Sequence, residues 1–507
     1  MNQLKAGAIL SYIILGLNTA INLFYTPYML HKMGQSEYGL YALVASVITY
    51  LTILDLGFGN AIIRYTAQFR AEKKIREQYT MFGMFIILYS IIGFIALGLG
   101  TVLSFNVGTL FGAQMTALEL QKAEIMMLLL SFNLAITFPF SLFGSIITAY
   151  ENFVFQKVVQ IIRIILNCIT MIILLHMGYK AIGLVVVTTV YNILSLLVNF
   201  LYCRYKIGIK IYFSQFNWPF LKEISVYSFY IFLNAIMDRI YWSSGQFILA
   251  TVAGTAAVAI YAVAITLQQM YMSFSSAIVG VFLPKVTAMV VTKQNDKILS
   301  DLFIRTGRIQ YSVLCFILSA FVLFGQQFIN LWAGPEYQQA YTISLLFFIP
   351  LTVPLIQNLG ITILQARNQM KFRSTLYVII ACFSLGISIP LARHYGAIGC
   401  AVGTSAGLVF GHILIMNVYY YKSQKIDIIS FWQNIFKMSI LPMCLCAGGY
   451  ILLHYIGIPN SFPKLAIAAL LFAIVYLPTF WFISMNRDER NLISGILQSI
   501  RTKLASI

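Results

Sequence analysis

Long apolar stretches separated by short polar ones recur from one end of the chain to the other. Each runs about 20 residues or more, the length a helix needs to cross the roughly 30 Å hydrocarbon layer of a bilayer. The pattern predicts fourteen membrane helices, near 6–30, 38–62, 79–105, 122–149, 155–176, 180–203, 223–250, 255–283, 307–330, 340–366, 374–393, 396–421, 436–456 and 464–485. Ten-residue alternating segments, the mark of a membrane barrel, do not dominate, so the predicted class is all-α and polytopic. The first stretch, MNQLKAGAILSYIILGLNTAINLFYTPYML, is longer than a signal-peptide core and reads as the first span.

Sliding the chain along itself reveals two related halves. LNTAINLFY (17–25) lies over LNAIMDRIY (233–241), GQSEYGLYALV (34–44) over GTAAVAIYAVA (254–264), and AIGLVVVTT (181–189) over AIGCAVGTS (397–405), all at shifts near 216–220. This divides the chain into a lobe of helices 1–6 (1–210), a lobe of helices 7–12 (211–425), and helices 13–14 with a tail (426–507). Six crossings return the chain to its starting side, so the repeat is parallel, an arrangement used by transporters whose lobes rock about a substrate site.

Composition agrees. The 507 residues are 60% hydrophobic and 9% charged, more apolar than a soluble core accommodates. The net charge of +18 does not point to nucleic acid, because it is distributed by topology: 26 Lys and Arg fall in segments on one side of the predicted spans and five on the other. That bias places both termini in the cytoplasm. The seven cysteines lie in or beside apolar runs without ligand spacing and read as buried thiols. His31, His176, His394 and His454 fall near span ends, and mid-span His412 reads as packed.

Polar residues inside the spans carry the candidate chemistry, because membrane charge is costly and usually faces a partner or a wet cavity. Ser11, Asn18, Asn22 and Tyr25 share one stripe of helix 1, and Asn234, Asp238 and Tyr241 the equivalent stripe of helix 7. Helix 5 carries Gln156, Gln160, Arg163 and Asn167, whereas the matching positions of helix 11 are Phe372, Leu376, Ile379 and Phe383. Two readings stand for these stripes: interhelical hydrogen bonds of about 0.6 kcal/mol each, or an asymmetric site for an anionic ligand. A guanidinium suits phosphate, since its fork donates two parallel hydrogen bonds and keeps its proton. Arg163 could instead pair with Asp55 or Asp238, and Arg239 points about 100° away from Asp238. Asp55 and Arg64, nine residues apart, would lie on opposite sides of a straight helix 2. There Asp55 is a candidate coupling or ion-pair acid, and Arg64 either an entry-side anion contact or a topological charge.

No GxxxxGK[ST] loop, HExxH or DxD motif occurs, and the one GxSxG match, GTSAG (403–407), lies inside the predicted span 396–421 and not at a strand-to-helix turn, so no hydrolytic or glycosyl-transfer chemistry is expected. The segments YIILGLNTAINLFYTPYML and GQSEYGLYALVASVITYLTILDLGFGNAIIRYTAQF resemble the bacterial O-antigen flippases (Wzx-like) of the multidrug/oligosaccharidyl-lipid/polysaccharide exporter superfamily. The resemblance implies flipping of an undecaprenyl-diphosphate-linked oligosaccharide, of O-antigen or a related lipopolysaccharide or surface polysaccharide, across the bacterial inner membrane. It implies a cationic cavity, for which Arg163, Arg239 and Arg64 are the candidates, with H+ or Na+ as coupling ions. It also implies two lobes of six helices, a groove for the polyprenyl tail on helices 13–14, and membrane lipids, a polysaccharide polymerase and a chain-length regulator as partners. A cation-coupled multidrug exporter and a non-transporting scaffold of a polysaccharide assembly complex remain open at this point.

Overall fold

A computed structural model describes residues 3–112, 114–213, 217–279, 286, 289, 296–367, 369–457, 459–487, 489–491 and 494. Among them the regular structure is helical throughout. The first half runs α1 (Gln3–Met33), α2 (Gln35–Leu51), a 3-10 turn (Thr52–Asp55), α3 (Phe58–Ala71), α4 (Ile75–Phe105), α5 (Val107–Phe111), α6 (Ala117–Ala149), α7 (Phe153–His176) and α8 (Ala181–Leu201). The second runs α9 (Trp218–Val252), α10 (Gly254–Val279), α11 (Asp296–Trp332), α12 (Gln339–Ile356), α13 (Leu359–Ala366), α14 (Met370–Leu408), α15 (Met416–Lys422), α16 (Ile428–Ile456) and α17 (Phe462–Ile483).

Among the described residues, twelve helical stretches are long and apolar enough to cross a membrane. One of them, Met370–Lys422, has 53 residues, which would be about 80 Å if straight. It is not straight: Gly396 takes φ 57° and ψ −134°, a conformation open to glycine because it lacks a Cβ. The stretch therefore holds two crossings, divided where hydropathy divides them. With α9, 35 residues long, the described residues of each of the fourteen predicted spans lie largely in helix.

Two spans are broken where continuous helix is expected. In 38–62, Leu56 and Gly57 adopt left-handed backbone conformations, φ 54° and 75°, between the 3-10 turn and α3. Left-handed residues end the i to i−4 hydrogen-bond ladder, so Asp55 and Arg64 sit on different segments and the opposite-face geometry of a straight helix does not apply. In 340–366, α12 stops at Ile356 and α13 starts at Leu359. Pro350 and Pro354 lie just upstream, and proline removes a donor from the ladder.

The chain forms two compact units: Met1–Ala262 with Ala381–Gly403, and Val263–Ile380 with Thr404–Ile507. In the first, α6 is the centre, packing on α2, α3, α4 and α8, while α1 lies on α7 and α2 and α3 lie on α9. Small residues permit this closeness: a Cβ on Gly39 would meet the backbone of Thr255, and one on Gly93 that of Ala135. In the second unit α11 is the centre, packing on α12, α16 and α17. There Tyr271 stacks on Phe348 at 4.5 Å, and its hydroxyl bonds Thr352 Oγ1 at 2.7 Å.

Candidate functional site

The break in the second span places a carboxylate inside the first unit. Asp55 is half-buried. Its Oδ1 accepts from the Tyr89 hydroxyl of α4 at 2.8 Å, and the Gly57 N–H also donates to the carboxylate. Tyr89 is itself buried, stacked on Phe138 at 6.3 Å and hydrogen-bonded to Ser141 of α6. The turn thus aims one of its own N–H groups at the acid, α4 supplies the phenol, and α6 holds that phenol in place. Among the described residues Asp55 forms no ion pair, so the Asp55–Arg163 pair open in the sequence is not formed.

Arg163 lies mid-span on α7 and is half-buried. Its Nη1 donates to Asn192 Oδ1 of α8 at 3.1 Å. Asn192 Nδ2 in turn donates to Asn133 Oδ1 and Thr137 Oγ1 of α6, both at 2.8 Å. Among the described residues the guanidinium has no carboxylate partner. Its neighbours on the helix 5 stripe differ: Gln156 accepts from Thr148 Oγ1 at 3.0 Å, Gln160 is half-buried, and Asn167 Oδ1 is buried without a described hydrogen-bond partner.

The α1 stripe has Asn18 exposed, Asn22 half-buried, and Tyr25 with its hydroxyl buried and unpartnered among the described residues. On α9, Arg239 is exposed, and Tyr241 is buried edge-on to Trp242 at 4.6 Å. The side chains of Asn234 and Asp238 lie outside the described residues. Arg64 is exposed and sits over the Tyr65 ring at 5.6 Å, while Tyr65 OH donates to Glu223 Oε1 at 2.9 Å.

Several polar residues of these networks are missing from the stripes read in the sequence. On α6, Asn133, Thr137, Ser141 and Ser145 recur every four residues, a signal legible at helical period. Glu119 accepts from Ser36 Oγ at 2.5 Å and Thr255 Oγ1 at 2.9 Å, and Glu37 pairs with Lys122, tying α2, α6 and α10 together at one end. The TxxE spacing of Thr116 and Glu119, a capping box, marks that end in the sequence.

Two charges read as topological have structural partners. Arg70 Nη1 donates to Ala149 O at the end of α6, at 2.7 Å. Arg308 is buried in the second unit, with Nε and Nη2 on the Glu489 carboxylate at 2.5 and 3.0 Å, Nη1 on Asn434 and Nη2 on Ser484 O. In the same unit a cavity of about 730 Å³ runs between α11, α16 and α17, lined by Leu323, Phe324, Leu452, Ile467, Leu471 and Phe472. Asn460 and Lys464 stand at one end, joined by a 3.2 Å hydrogen bond.

Broken helices that carry polar and charged side chains within a polytopic helical bundle define the class as a membrane transporter fold. More particularly, the chain belongs to the polysaccharide biosynthesis protein family, whose profile matches residues 4–290. The fold is shared with the lipid II flippase MurJ in an inward closed conformation, at 15% identity over 94% of this chain and 98% of that one, TM-score 0.74. It is shared with an inward-facing MATE multidrug resistance transporter of the MOP superfamily, at 14% identity over 80% and 99%, TM-score 0.60. A MOP superfamily transporter from Pyrococcus furiosus with a binding pocket of reversed polarity matches at 16% identity over 85% and 97%, TM-score 0.56. No curated protein sequence matches the chain. The solved structures that share its fold are transporters and a flippase.

Proposed function

We propose that the protein flips an undecaprenyl-diphosphate-linked oligosaccharide from the cytoplasmic to the periplasmic leaflet of the bacterial inner membrane, as a step in making O-antigen or a related surface polysaccharide. The observation that carries this reading is Arg163, a mid-span guanidinium held by a neutral amide with no described acid to neutralise it. Such a charge is stable in a membrane when it meets an anion or a wet cavity, and a diphosphate matches its fork. Lobes 1–210 and 211–425 alternate access to a cationic cavity that Arg239 and Arg64 also serve. The apolar cavity on α16 and α17 suits the polyprenyl tail.

Asp55 supports ion coupling. It is an acid on an interrupted helix, contacted by a phenol and a backbone N–H, and protonation or Na+ binding can alter both contacts. The same observation favours a second reading, cation-coupled multidrug export. Reconstituted vesicles separate the two. A flippase delivers labelled lipid-linked oligosaccharide to the opposite leaflet and is slowed about ten- to a hundredfold by Arg163→Ala. A multidrug exporter moves cationic dyes, is indifferent to Arg163→Ala and fails with Asp55→Asn.

A further inference from the structure

The hydrogen bonds around Arg163 have a fixed direction. Thr137 Oγ1 donates its only proton to Asn133 O at 2.7 Å, so its lone pairs face outward from α6. Both protons of the Asn192 amide are then committed to α6, one to Thr137 Oγ1 and one to Asn133 Oδ1. The amide oxygen is left facing α7, where it receives Arg163 Nη1. Rotating the amide by 180° would set its oxygen against Asn133 Oδ1 and its N–H groups against the guanidinium, losing three hydrogen bonds. A backbone carbonyl of α6 thereby sets the position of a charge on α7, through two side chains.

We infer that Asn192 is a positioning residue for the anionic group of the transported lipid: it holds Arg163 in place through a neutral acceptor, so that the charge is fixed in direction yet kept for the ligand. An aspartate here would hold the guanidinium as firmly but neutralise it. One of the five guanidinium N–H groups is used by Asn192. This inference rests on the reading of Arg163 as an anion contact, and it adds the residue that makes that contact specific.

The test is binding of undecaprenyl diphosphate to the purified full-length protein in lipid nanodiscs, with undecaprenol as the uncharged control. Asn192→Asp should weaken diphosphate binding by about tenfold and Asn192→Ala by about threefold, leaving undecaprenol binding unchanged. In an Arg163→Ala background Asn192→Asp should have no further effect. A merely structural asparagine predicts losses that persist in the Arg163→Ala background and that extend to undecaprenol; a tenfold aspartate effect persisting without Arg163, or an equal loss of undecaprenol binding, overturns the inference. If Arg163→Ala weakens binding while Asn192→Asp matches wild type, the positioning role alone is wrong. If Arg163→Ala leaves binding intact, the anion reading beneath it is wrong as well.

Discussion

Arg163 and Asp55 occupy the same unit without touching, and each is held by a neutral group: Arg163 by the Asn192 amide, Asp55 by the Tyr89 phenol. Helix α6 links the two sites, since Thr137 serves the first and Ser141, one turn on, the second. A charge-assisted contact contributes about 1.5–3 kcal/mol. Arg163→Ala should therefore lower transport about ten- to a hundredfold in kcat/KM, and Arg163→Lys, which keeps charge but not the fork, should fall between. Vesicle transport rates check this. Asp55→Asn keeps a Tyr89 contact and removes the titratable group, so it should abolish any dependence of transport on an imposed H+ or Na+ gradient. The charges were legible in the sequence because hydropathy exposes any ion within a span. Their partners were not, since Asn192 and Tyr89 lie 29 and 34 residues away and meet them through helix packing.

Among elements, the breaks matter most. Hydropathy locates a span but not its continuity, so the turn at Leu56–Gly57 shows in the sequence only as Gly57 and Gly59, which loosen a helix and allow close packing or a bend, whereas the division at Gly396 shows as a gap between apolar runs. Gly57→Ala forces a Cβ into a left-handed position and should destabilise the turn by about 1 kcal/mol, shifting Asp55 away from Tyr89. Helix α16 begins at Asp427, whose carboxylate accepts from the Ser430 N–H at 3.0 Å and its hydroxyl at 2.6 Å. These bonds hold its pKa below the usual carboxylate range. A depressed folded pKa contributes stability that is present above the unfolded value of 3.8 and is lost as pH falls through the folded one. Amide exchange in the first turn of α16 should accelerate below about pH 4 in wild type, and Asp427→Asn should cap the helix without that dependence. Arg308 and Glu489 join α11 to the segment after α17, while Asn434 adds α16. Arg308→Ala leaves a buried carboxylate uncompensated and should cost about 3–5 kcal/mol, measurable as a fall in melting temperature. Arg308 reads as one more inner charge because the positive-inside rule counts charges without showing which are buried.

For the whole molecule, the all-helical, many-span architecture was legible because a bilayer imposes length and apolarity on every crossing. The strong asymmetry of Lys and Arg makes a topology prediction: in a cysteine-less background, a cysteine at Lys180 should react with an impermeant maleimide from the periplasm and one at Arg204 should not. The family is that of polysaccharide biosynthesis proteins and the fold is one shared with a solved flippase, and the sugar is a property that neither hydropathy nor packing encodes. The central claim is movement of a lipid-linked anion past Arg163. It is tested most directly by reconstituting the full-length protein with labelled undecaprenyl-diphosphate oligosaccharide on one leaflet and measuring its arrival on the other. Wild type should deliver it, and Arg163→Ala should deliver it about ten- to a hundredfold more slowly. Delivery by Arg163→Ala at the wild-type rate, or dye export by a wild type that leaves the lipid in place, would contradict the account.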